Sequence, residues 1–299
     1  MSAVAAPARA RRGRVVLRLL RPHVHITYAL LWVLALEGSA ASPAGTAWRP
    51  AAATWVRVAS VVLALLFLRL LDEQKDLDYD RVHHPGRPLV TGEVTATGLR
   101  LGMAAAAAVA TGLNTALSPA AVLLILAVLG YALLLAALER ASAAVRDRQL
   151  LDLAVTYPVQ LLLGGYVYGS AAAAGTVSAD WRGAVLLALS ACVLLHFEFA
   201  RKTAWEAPAG ERLYSTVLGP RRSAAVAALL AAGAVACQLV LFLPADGPAA
   251  LLLGLTALLP AWGLRQFLRA RRGRWPLPAA MGYVAATHLA LTVRALLPL

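Results

Sequence analysis

Residues 69–93 read RLLDEQKDLDYDRVHHPGRPLVTGE and place five acidic side chains within nine positions of a chain that is otherwise apolar and basic. Three aspartates in this stretch recur every four residues: Asp72, Asp76 and Asp80. On a helix this spacing drifts by only about 40° per step, so the three carboxylates share one face. Residues 51–84 contain no glycine or proline, so a helix can continue from the preceding apolar run into the acidic stretch. Helix-ending residues follow at Pro85, Gly86 and Pro88.

The chemistry of this helix face predicts a metal ion. Three carboxylates about 6 Å apart along a helix axis repel one another unless a cation lies between them. Hard divalent cations prefer oxygen ligands, and Mg²⁺ is usually bound by one or two protein carboxylates together with the phosphate oxygens of a substrate. Asp78 points away from this face. The alternative interpretation is a solvated acidic loop, which the strict spacing and the following Arg-Pro-Leu disfavour.

The composition excludes an ordinary soluble protein. Of the 299 residues, 60% are hydrophobic and 14% are charged, and the mean hydropathy is +0.69. Soluble domains contain about 45–50% apolar and 25% charged residues. The chain is therefore predicted to be a polytopic membrane protein, in which the placement of the net charge of +13 matters more than its size. Cys192 and Cys237 lie in apolar runs and are interpreted as small buried hydrophobic residues.

Apolar runs long enough to cross a bilayer, at about 17–25 residues each, predict the topology. Nine such runs lie at roughly 22–40, 51–71, 95–117, 119–138, 149–172, 182–200, 223–243, 247–268 and 277–297. With a cytosolic N-terminus, the only basic residues on the external side are Arg49, Arg57, Arg182 and Arg294. This asymmetry predicts that the acidic stretch faces the cytosol and that the C-terminus is external. Four polar residues within the runs are expected to hydrogen-bond between helices: Asn114, Gln160, Gln238 and His288.

The acidic stretch resembles the first aspartate-rich motif of the UbiA superfamily of intramembrane prenyltransferases. That motif is an Asn/Asp-x-x-x-Asp-x-x-x-Asp helix end, followed by a loop with Arg-Pro-Leu and a glycine. The chain matches it with the three aspartates, Arg87-Pro88-Leu89 and Gly92, although the first position is more often Asn in the family.

The resemblance covers nearly the whole chain and implies its fold. The implied fold class is all-α, a polytopic membrane protein with nine transmembrane helices around a central cavity. That cavity opens to the cytosolic side and laterally to lipid. Residues 1–21 then form a basic cytosolic N-terminal arm, and residues 22–299 form a single UbiA-like transmembrane domain.

A second charged constellation follows the sixth apolar run, where the family usually carries Asp-x-x-x-Asp. The same four-residue register here gives Glu198, Lys202 and Glu206, with Arg201 beside the lysine. A cation thus replaces the middle carboxylate, and this puts a second full magnesium site in doubt. Lys202 and Arg201 can instead stabilise diphosphate oxygens, because fixed cations do part of what a metal ion does. The alternative is that both side chains only snorkel to the lipid headgroups.

The resemblance implies Mg²⁺-assisted transfer of a prenyl group from a polyprenyl diphosphate to a lipophilic or aromatic acceptor, at the cell (inner) membrane and without nucleic acid. The residues expected to be catalytic are Asp72, Asp76, Asp80, Glu198 and Lys202. The expected metal ligands are Asp72, Asp76, Asp80 and Glu198. The expected diphosphate contacts are Arg81, Arg87, Arg201, Lys202 and Arg21. For Arg21, a snorkelling anchor is an equally good interpretation.

Two other functions stay open. A UbiA-type terpene cyclase would ionise the same substrate and let an internal double bond attack, and the altered second motif favours it. A non-catalytic transporter or lipid-binding relic would also keep charged residues in the membrane. Against it, the acids cluster at the predicted cytosolic mouth and the first motif is complete. Glu139, Arg140 and Asp152 lie at the same mouth, with a spacing that matches no motif.

Overall fold

The computed structural model describes residues 20–42, 47–75, 77–207 and 211–297. Within these ranges the chain is helical and forms no strand, so the predicted all-α class is confirmed. Asp76 and most of the basic arm lie outside the described residues. The helices are α1 Pro22–Ala41, α2 Ala52–Lys75, α3 Leu77–His83, α4 Ala96–Thr115, α5 Pro119–Ala141, α6 Ala143–Asp147, α7 Gln149–Thr156, α8 Pro158–Ala173, α9 Trp181–Arg201, α10 Tyr214–Leu218, α11 Pro220–Asp246, α12 Ala250–Leu253, α13 Leu258–Ala270 and α14 Leu277–Leu296.

Eight helical stretches in the described residues are long and apolar enough to cross a membrane. One of them, Pro220–Ala270, has 51 residues and is not straight. The chain turns after Asp246 at Gly247, whose φ of +57° ends α11. Gly254 then packs back against α11, because a Cβ at Gly254 would lie 3.6 Å from Cγ1 of Val235. The predicted count of nine spans, which treats the two arms of this stretch separately, stays a prediction.

Local sequence explains where several spans begin. Thr95 caps α4 by accepting a hydrogen bond from the backbone N–H of Gly98 at 3.1 Å. Ser118 caps α5 in the same way, and Pro119 follows it at the first helical position, where proline costs no hydrogen bond. The chain therefore turns tightly between α4 and α5, over residues 116–118.

Four connections between helices meet at one end of the bundle, which we call the motif end. Lys75, the last residue of α2, pairs with Glu139 in the last turn of α5 at 2.9 Å. The loop after α9 pairs with the loop after α13, since Trp205 N–H donates to the carbonyl oxygen of Gly273 at 2.8 Å. At the opposite end, the N–H of Trp48 donates to the carbonyl oxygen of Ala295 at 2.8 Å. The cytosolic orientation of the motif end stays a prediction.

Polar residues within the spans differ in whether they hydrogen-bond to another helix or within their own helix. Asn114 donates to the hydroxyl of Ser60 at 2.8 Å and accepts from the hydroxyl of Tyr166 at 2.8 Å, so it joins three helices as predicted. Nδ1 of His288 instead donates within its own helix to the carbonyl oxygen of Val284 at 2.7 Å. The expectation of an interhelical bond is thus confirmed for Asn114, whereas the described contact of His288 is intrahelical.

Candidate active site

The first motif occupies the end of α2 and the short helix α3. Asp72 lies in the last turn of α2 with its side chain half exposed, 3.6 Å from the ammonium of Lys75. Asp80 lies in α3 and is buried, with 2% of its side chain exposed. Its two oxygens contact Nη1 of Arg87 at 2.8 Å and Nδ1 of His84 at 3.1 Å. The described aspartates thus flank Asp76 in sequence and differ sharply in exposure.

The Arg-Pro-Leu-x-x-Gly segment forms the tight loop that brings Arg87 back to these helices. The N–H of Thr91 donates to the carbonyl oxygen of Arg87 at 2.9 Å, and the N–H of Val94 donates to that of Pro88 at 3.1 Å. Gly92 has a φ of +76°, a conformation in which any side chain would be strained. The glycine of the motif is therefore required by the backbone of the loop.

Glu73 is a site residue that the spacing argument missed. It is buried, and it accepts hydrogen bonds from Arg69 of its own helix and from Arg87, the latter at 3.3 Å. Arg87 therefore bridges Glu73 and Asp80, while about a third of its side chain stays exposed. The signal for Glu73 was its spacing of four residues from Arg69, which places the two on one helix face.

Two of the predicted diphosphate contacts lie at the edge of this region. Arg81 is largely exposed and pairs with the exposed Asp78 at 2.8 Å. Arg21 precedes α1 with a φ of +40° and is exposed. One turn further, His25 interacts electrostatically with Arg69, so the start of α1 faces the end of α2. The roles of Arg21 and Arg81 stay predictions.

The second motif holds a lysine at the middle position of its four-residue register, between Glu198 and Glu206. Nζ of Lys202 lies 2.9 Å from Oε1 of Glu198, and Arg201 contacts the other oxygen of the same carboxylate at 2.5 Å. The hydroxyl of Tyr214 donates to Oε1 of Glu198 at 2.9 Å, and Nζ of Lys202 lies 4.8 Å from the centre of the Tyr214 ring. Glu206 does not continue the register, because α9 ends at Arg201 and Glu206 lies exposed in the following loop.

Tyr214 is buried, and sequence reasoning gave it no role. Burial, and then the neighbouring Glu198 carboxylate, raise the pKa of its hydroxyl above the usual tyrosine value. The hydroxyl therefore stays protonated through the neutral and alkaline range. Its proton is available to Glu198, while its oxygen accepts from Lys202 at 3.3 Å. The tyrosine thus fixes both members of the ion pair.

Glu139 near the end of α5 and Asp152 in α7 connect the two motifs. Lys75 contacts both oxygens of Glu139, at 2.9 and 3.1 Å. Asp152 in α7 interacts electrostatically with Glu139, Lys75 and Lys202. The two motifs therefore face one another, and we call this set the mouth, with these members: Asp72, Lys75, Glu139, Asp152, Glu198 and Lys202.

The donor set of the first motif suits a hard divalent cation. No group of three or more metal-ligating side chains occurs in the described ranges, from which the middle aspartate, Asp76, is missing. The flanking carboxylates supply only oxygen, the ligand that Mg²⁺ prefers. Glu73 is already neutralised by Arg69 and Arg87 through Oε1, so it is not counted among the metal ligands. The residues present therefore fit Mg²⁺ in the first motif.

Comparisons with known proteins give a consistent fold. No protein-family model matches the chain, and no curated protein matches it. A solved structure of a digeranylgeranylglyceryl phosphate synthase matches at 15% identity and a TM-score of 0.64, covering 96% of this chain and 99% of the other. The apo structure of a UbiA homologue from Aeropyrum pernix K1 matches at 21% identity and a TM-score of 0.65, covering 90% and 96%.

A UbiA homologue from Archaeoglobus fulgidus, solved with DMAPP and Mg²⁺ bound, matches at 18% identity and a TM-score of 0.62. The match covers 94% of this chain and 98% of that chain. Because nearly the whole length of each structure is matched, the likeness extends to the complete arrangement of helices rather than to a shared helix pair. The chain has the UbiA fold.

Proposed function

We propose that this chain is an intramembrane prenyltransferase of the UbiA type, which moves a prenyl group from a prenyl diphosphate to an acceptor. The observation that carries the proposal is the mouth, where an oxygen-only acidic face lies opposite a fixed cation. Asp72 pairs with Lys75, Lys202 pairs with Glu198, and the Asp152 carboxylate interacts electrostatically with both lysines. A diphosphate needs both partners, because it binds divalent metal and charge-assisted donors together.

The first motif would act through charge neutralisation. Asp72, Asp76 and Asp80 would hold Mg²⁺, which supplies the positive charge that stabilises a diphosphate as the allylic C–O bond breaks. Asp80 accepts from Arg87 at 2.8 Å, so the guanidinium is oriented before substrate arrives. The exposed part of the Arg87 side chain is placed to donate a hydrogen bond to a phosphate oxygen.

The second motif would act through a fixed ammonium. Lys202 is held between Glu198 and Tyr214, which keep Nζ within 2.9 and 3.3 Å of their oxygens. A preorganised donor stabilises developing charge without reorganising during the reaction. Glu198 was predicted to bind metal, and that role stays a prediction. Its contacts with Lys202, Arg201 and Tyr214 favour a positioning role in this proposal.

The acceptor and the location follow from the same proposal. Loss of diphosphate leaves an allylic carbocation, which a lipophilic or aromatic acceptor in the membrane would capture, with release of the proton from its attacking oxygen or carbon to water. The charged residues of the mouth lie at the ends of α2 and α9, so the reaction would take place at the membrane surface. We place that surface on the cytosolic face of the cell membrane, since the basic residues cluster there by the positive-inside rule.

Purified protein in lipid nanodiscs tests the function directly. We expect release of diphosphate from dimethylallyl or geranyl diphosphate that requires an aromatic or lipid acceptor, stops with a chelator and returns with Mg²⁺. A cyclic product formed without any acceptor would assign the chain to the terpene cyclases instead. Folded protein that releases no diphosphate from any prenyl diphosphate, across a panel of acceptors, would contradict both enzymatic assignments.

A further inference from the structure

Helix α13 presents an outward face whose chemistry changes along its length, and we call it the α13 face. Its residues follow one another at spacings of three or four: Leu258, Trp262, Arg265 and Arg269. These spacings keep all four side chains within about 60° of one another around the helix axis, and all four are exposed. The opposite side of α13 packs on the protein through the buried residues Pro260, Gly263 and Phe267.

The order of chemistry along the α13 face is that of a phospholipid. Leu258 is 65% exposed and Trp262 is 49% exposed, so both need an apolar surrounding outside the protein. At 1.5 Å per residue, Arg265 and Arg269 lie about 10 and 16 Å further along the axis toward the motif end than Leu258. An aliphatic, then an aromatic, then a basic level therefore match acyl chain, glycerol ester and phosphate in turn.

The basic level of this face continues past the end of α13 and lacks acidic partners. Other arginines at the motif end are paired: Arg274 contacts Glu211 at 2.5 Å, and Arg212 lies 3.7 Å from Asp147. In contrast, no carboxylate of the described ranges pairs with four exposed arginines: Arg265, Arg269, Arg271 and Arg272. Neighbouring guanidinium groups repel one another unless an anion lies among them, so this cluster favours a negatively charged partner.

A braced turn holds Arg271 and Arg272 at the end of the face. Arg271 ends α13 with a φ of +48°, a left-handed conformation that costs a residue with a side chain energy, and Gly273 follows with a φ of +71°. The N–H of Trp275 donates to the carbonyl oxygen of Thr203 at 3.0 Å, which ties the turn to the loop after α9. The two arginines therefore lie on a supported turn, next to the basic level of the helix.

We propose that the α13 face, together with Arg271 and Arg272, binds one anionic phospholipid. Its phosphate would lie among the guanidinium groups, which bind phosphate oxygens through charge-assisted hydrogen bonds, and its acyl chains would lie along Trp262 and Leu258. Clusters of arginine at the end of a membrane span recognise anionic headgroups in this way. A zwitterionic lipid fits less well, because its ammonium group adds another cation to the cluster. This inference depends on the membrane and is independent of the reaction proposed above.

The test measures lipid binding without any prenyl substrate. The full chain, purified in a neutral detergent, is titrated with dioleoyl phosphatidylglycerol or with dioleoyl phosphatidylcholine, and native mass spectrometry counts the bound lipids. The two lipids share their acyl chains and differ in net charge, so the ratio of their dissociation constants isolates the effect of charge. We expect the wild-type chain to bind the first phosphatidylglycerol at least about 30-fold more tightly than phosphatidylcholine, since each basic residue near the headgroup contributes about fivefold.

Paired substitutions separate this face from the general positive charge of the motif end. Arg265→Gln combined with Arg269→Gln should weaken phosphatidylglycerol binding by about 25-fold and leave phosphatidylcholine binding nearly unchanged. Arg140→Gln combined with Arg148→Gln is the matched control, because it removes the same charge from exposed positions at the same end of the bundle. The control should keep the wild-type ratio. All four side chains are exposed, so both double variants should keep the wild-type melting temperature in detergent.

Three results would overturn the proposed lipid site. The first is equal affinity of the wild-type chain for the two lipids. The second is an equal loss of phosphatidylglycerol binding in the two double variants, which would mean that the positive charge of this end acts only collectively. The third is displacement of phosphatidylglycerol by an equal concentration of glycerol phosphate, which would assign the cluster to a free phosphate. All three leave the prenyltransferase proposal untouched, since no prenyl diphosphate enters the measurement.

Discussion

The two ends of the bundle both bury charge, but they bury it to different extents. At the opposite end, Arg57 and Glu37 pair at 3.1 Å with side chains 0% and 4% exposed. At the motif end, Lys202 and Glu198 pair at 2.9 Å with side chains 25% and 18% exposed. The first pair is enclosed by protein and can only hold helices together. The second keeps access to the surface, so its cation can also bind an incoming anion.

The enclosed pair has further hydrogen-bond partners on neighbouring helices, although Oε2 of Glu37 has none among the described atoms. Nε of Arg57 donates to the hydroxyl of Ser170 at 2.9 Å, and the hydroxyl of Thr54 donates to Glu37 at 2.7 Å. These bonds join α1, α2 and α8 within the membrane. Buried ion pairs pay a large desolvation cost and survive only with such extra hydrogen bonds. The Arg57–Glu37 pair is therefore structural, whereas the Lys202–Glu198 pair is available to bind an anion; we call it the available pair.

The largest expected contrast between the ends is their accessibility in cells. We expect single cysteines at Asp78 and Glu206 to resist an impermeant reagent in intact cells, and a cysteine at Ala179 to react, in a chain without Cys192 and Cys237. All three positions are exposed, so only the orientation of the membrane separates them. The readout is labelling before and after lysis. Reaction of the first two in intact cells would reverse the topology predicted from the positive charges.

The next effect concerns stability at the opposite end. Arg57→Ala leaves the Glu37 carboxylate buried without its partner, which should lower the free energy of unfolding by about 3–5 kcal/mol. Arg49→Ala is the matched control, because Arg49 is exposed at the same end. The double change Glu37→Gln with Arg57→Met should cost much less than Arg57→Ala alone, since no unpaired charge remains. Unfolding in mixed micelles measures all three variants, and equal stability of Arg57→Ala and Arg49→Ala would contradict the structural assignment.

The sequence predicted the helices and the position of the first motif because those depend on local periodicity. The four-residue spacing and the Arg-Pro-Leu loop are both local; the structure describes the loop, whereas Asp76, the middle of the register, lies outside the described residues. The exposure of each aspartate was not predictable in this way. Asp72 and Asp80 share a predicted face, yet Asp80 is buried because the following loop carries Arg87 over it. That contact depends on how the loop folds back.

Side chains that act across helices were missed for the same reason. Glu73 lies outside the aspartate register, and its partner Arg87 is 14 residues away. Tyr214 meets Glu198 only because the loop after α9 returns to it. Lys75 and Glu139 belong to different spans, and their pairing follows from the packing of α2 near α5. Composition and spacing carry no information about these contacts.

At the motif end, the largest effect on activity should come from the first motif. Asp76→Asn removes the charge of the middle carboxylate and should lower kcat for diphosphate release by about 100-fold or more, as expected for a principal electrostatic group. Asp78→Asn is the matched control, because Asp78 lies two residues away, is fully solvated and is off the shared face. Steady-state release of diphosphate at saturating Mg²⁺ measures both. Full activity of Asp76→Asn would contradict the proposed Mg²⁺ site in the first motif.

The fixed cation should contribute less than the metal. Lys202→Ala should lower kcat for diphosphate release by about ten- to a hundredfold, because one charge-assisted contact is lost. Lys202→Asp places a carboxylate at the middle position of the register, and high Mg²⁺ should rescue this variant in part. Lys202→Ala should gain nothing from the added metal. If both variants keep normal turnover and Mg²⁺ dependence, the lysine only snorkels and the available pair has no catalytic role.

The smallest effect should come from the residue that holds the available pair in place. Tyr214→Phe keeps the ring beneath Lys202 but removes the hydroxyl that donates to Glu198 and accepts from Lys202. One net hydrogen bond is worth about 1 kcal/mol, so kcat should fall by only about fivefold, with KM for the donor nearly unchanged.

Because burial raises the pKa of Tyr214, its hydroxyl keeps the proton through the neutral and mildly alkaline range, and the effect should not vary with pH there. Tyr131→Phe is a suitable control, since that hydroxyl donates to the carbonyl oxygen of Val155 outside the second motif. A loss in Tyr214→Phe as large as in Lys202→Ala would mean that the tyrosine touches the substrate itself. If Tyr214→Phe lowers only the stability of the protein and leaves kcat unchanged, then the Tyr214 hydroxyl has a structural role, like the Arg57–Glu37 pair.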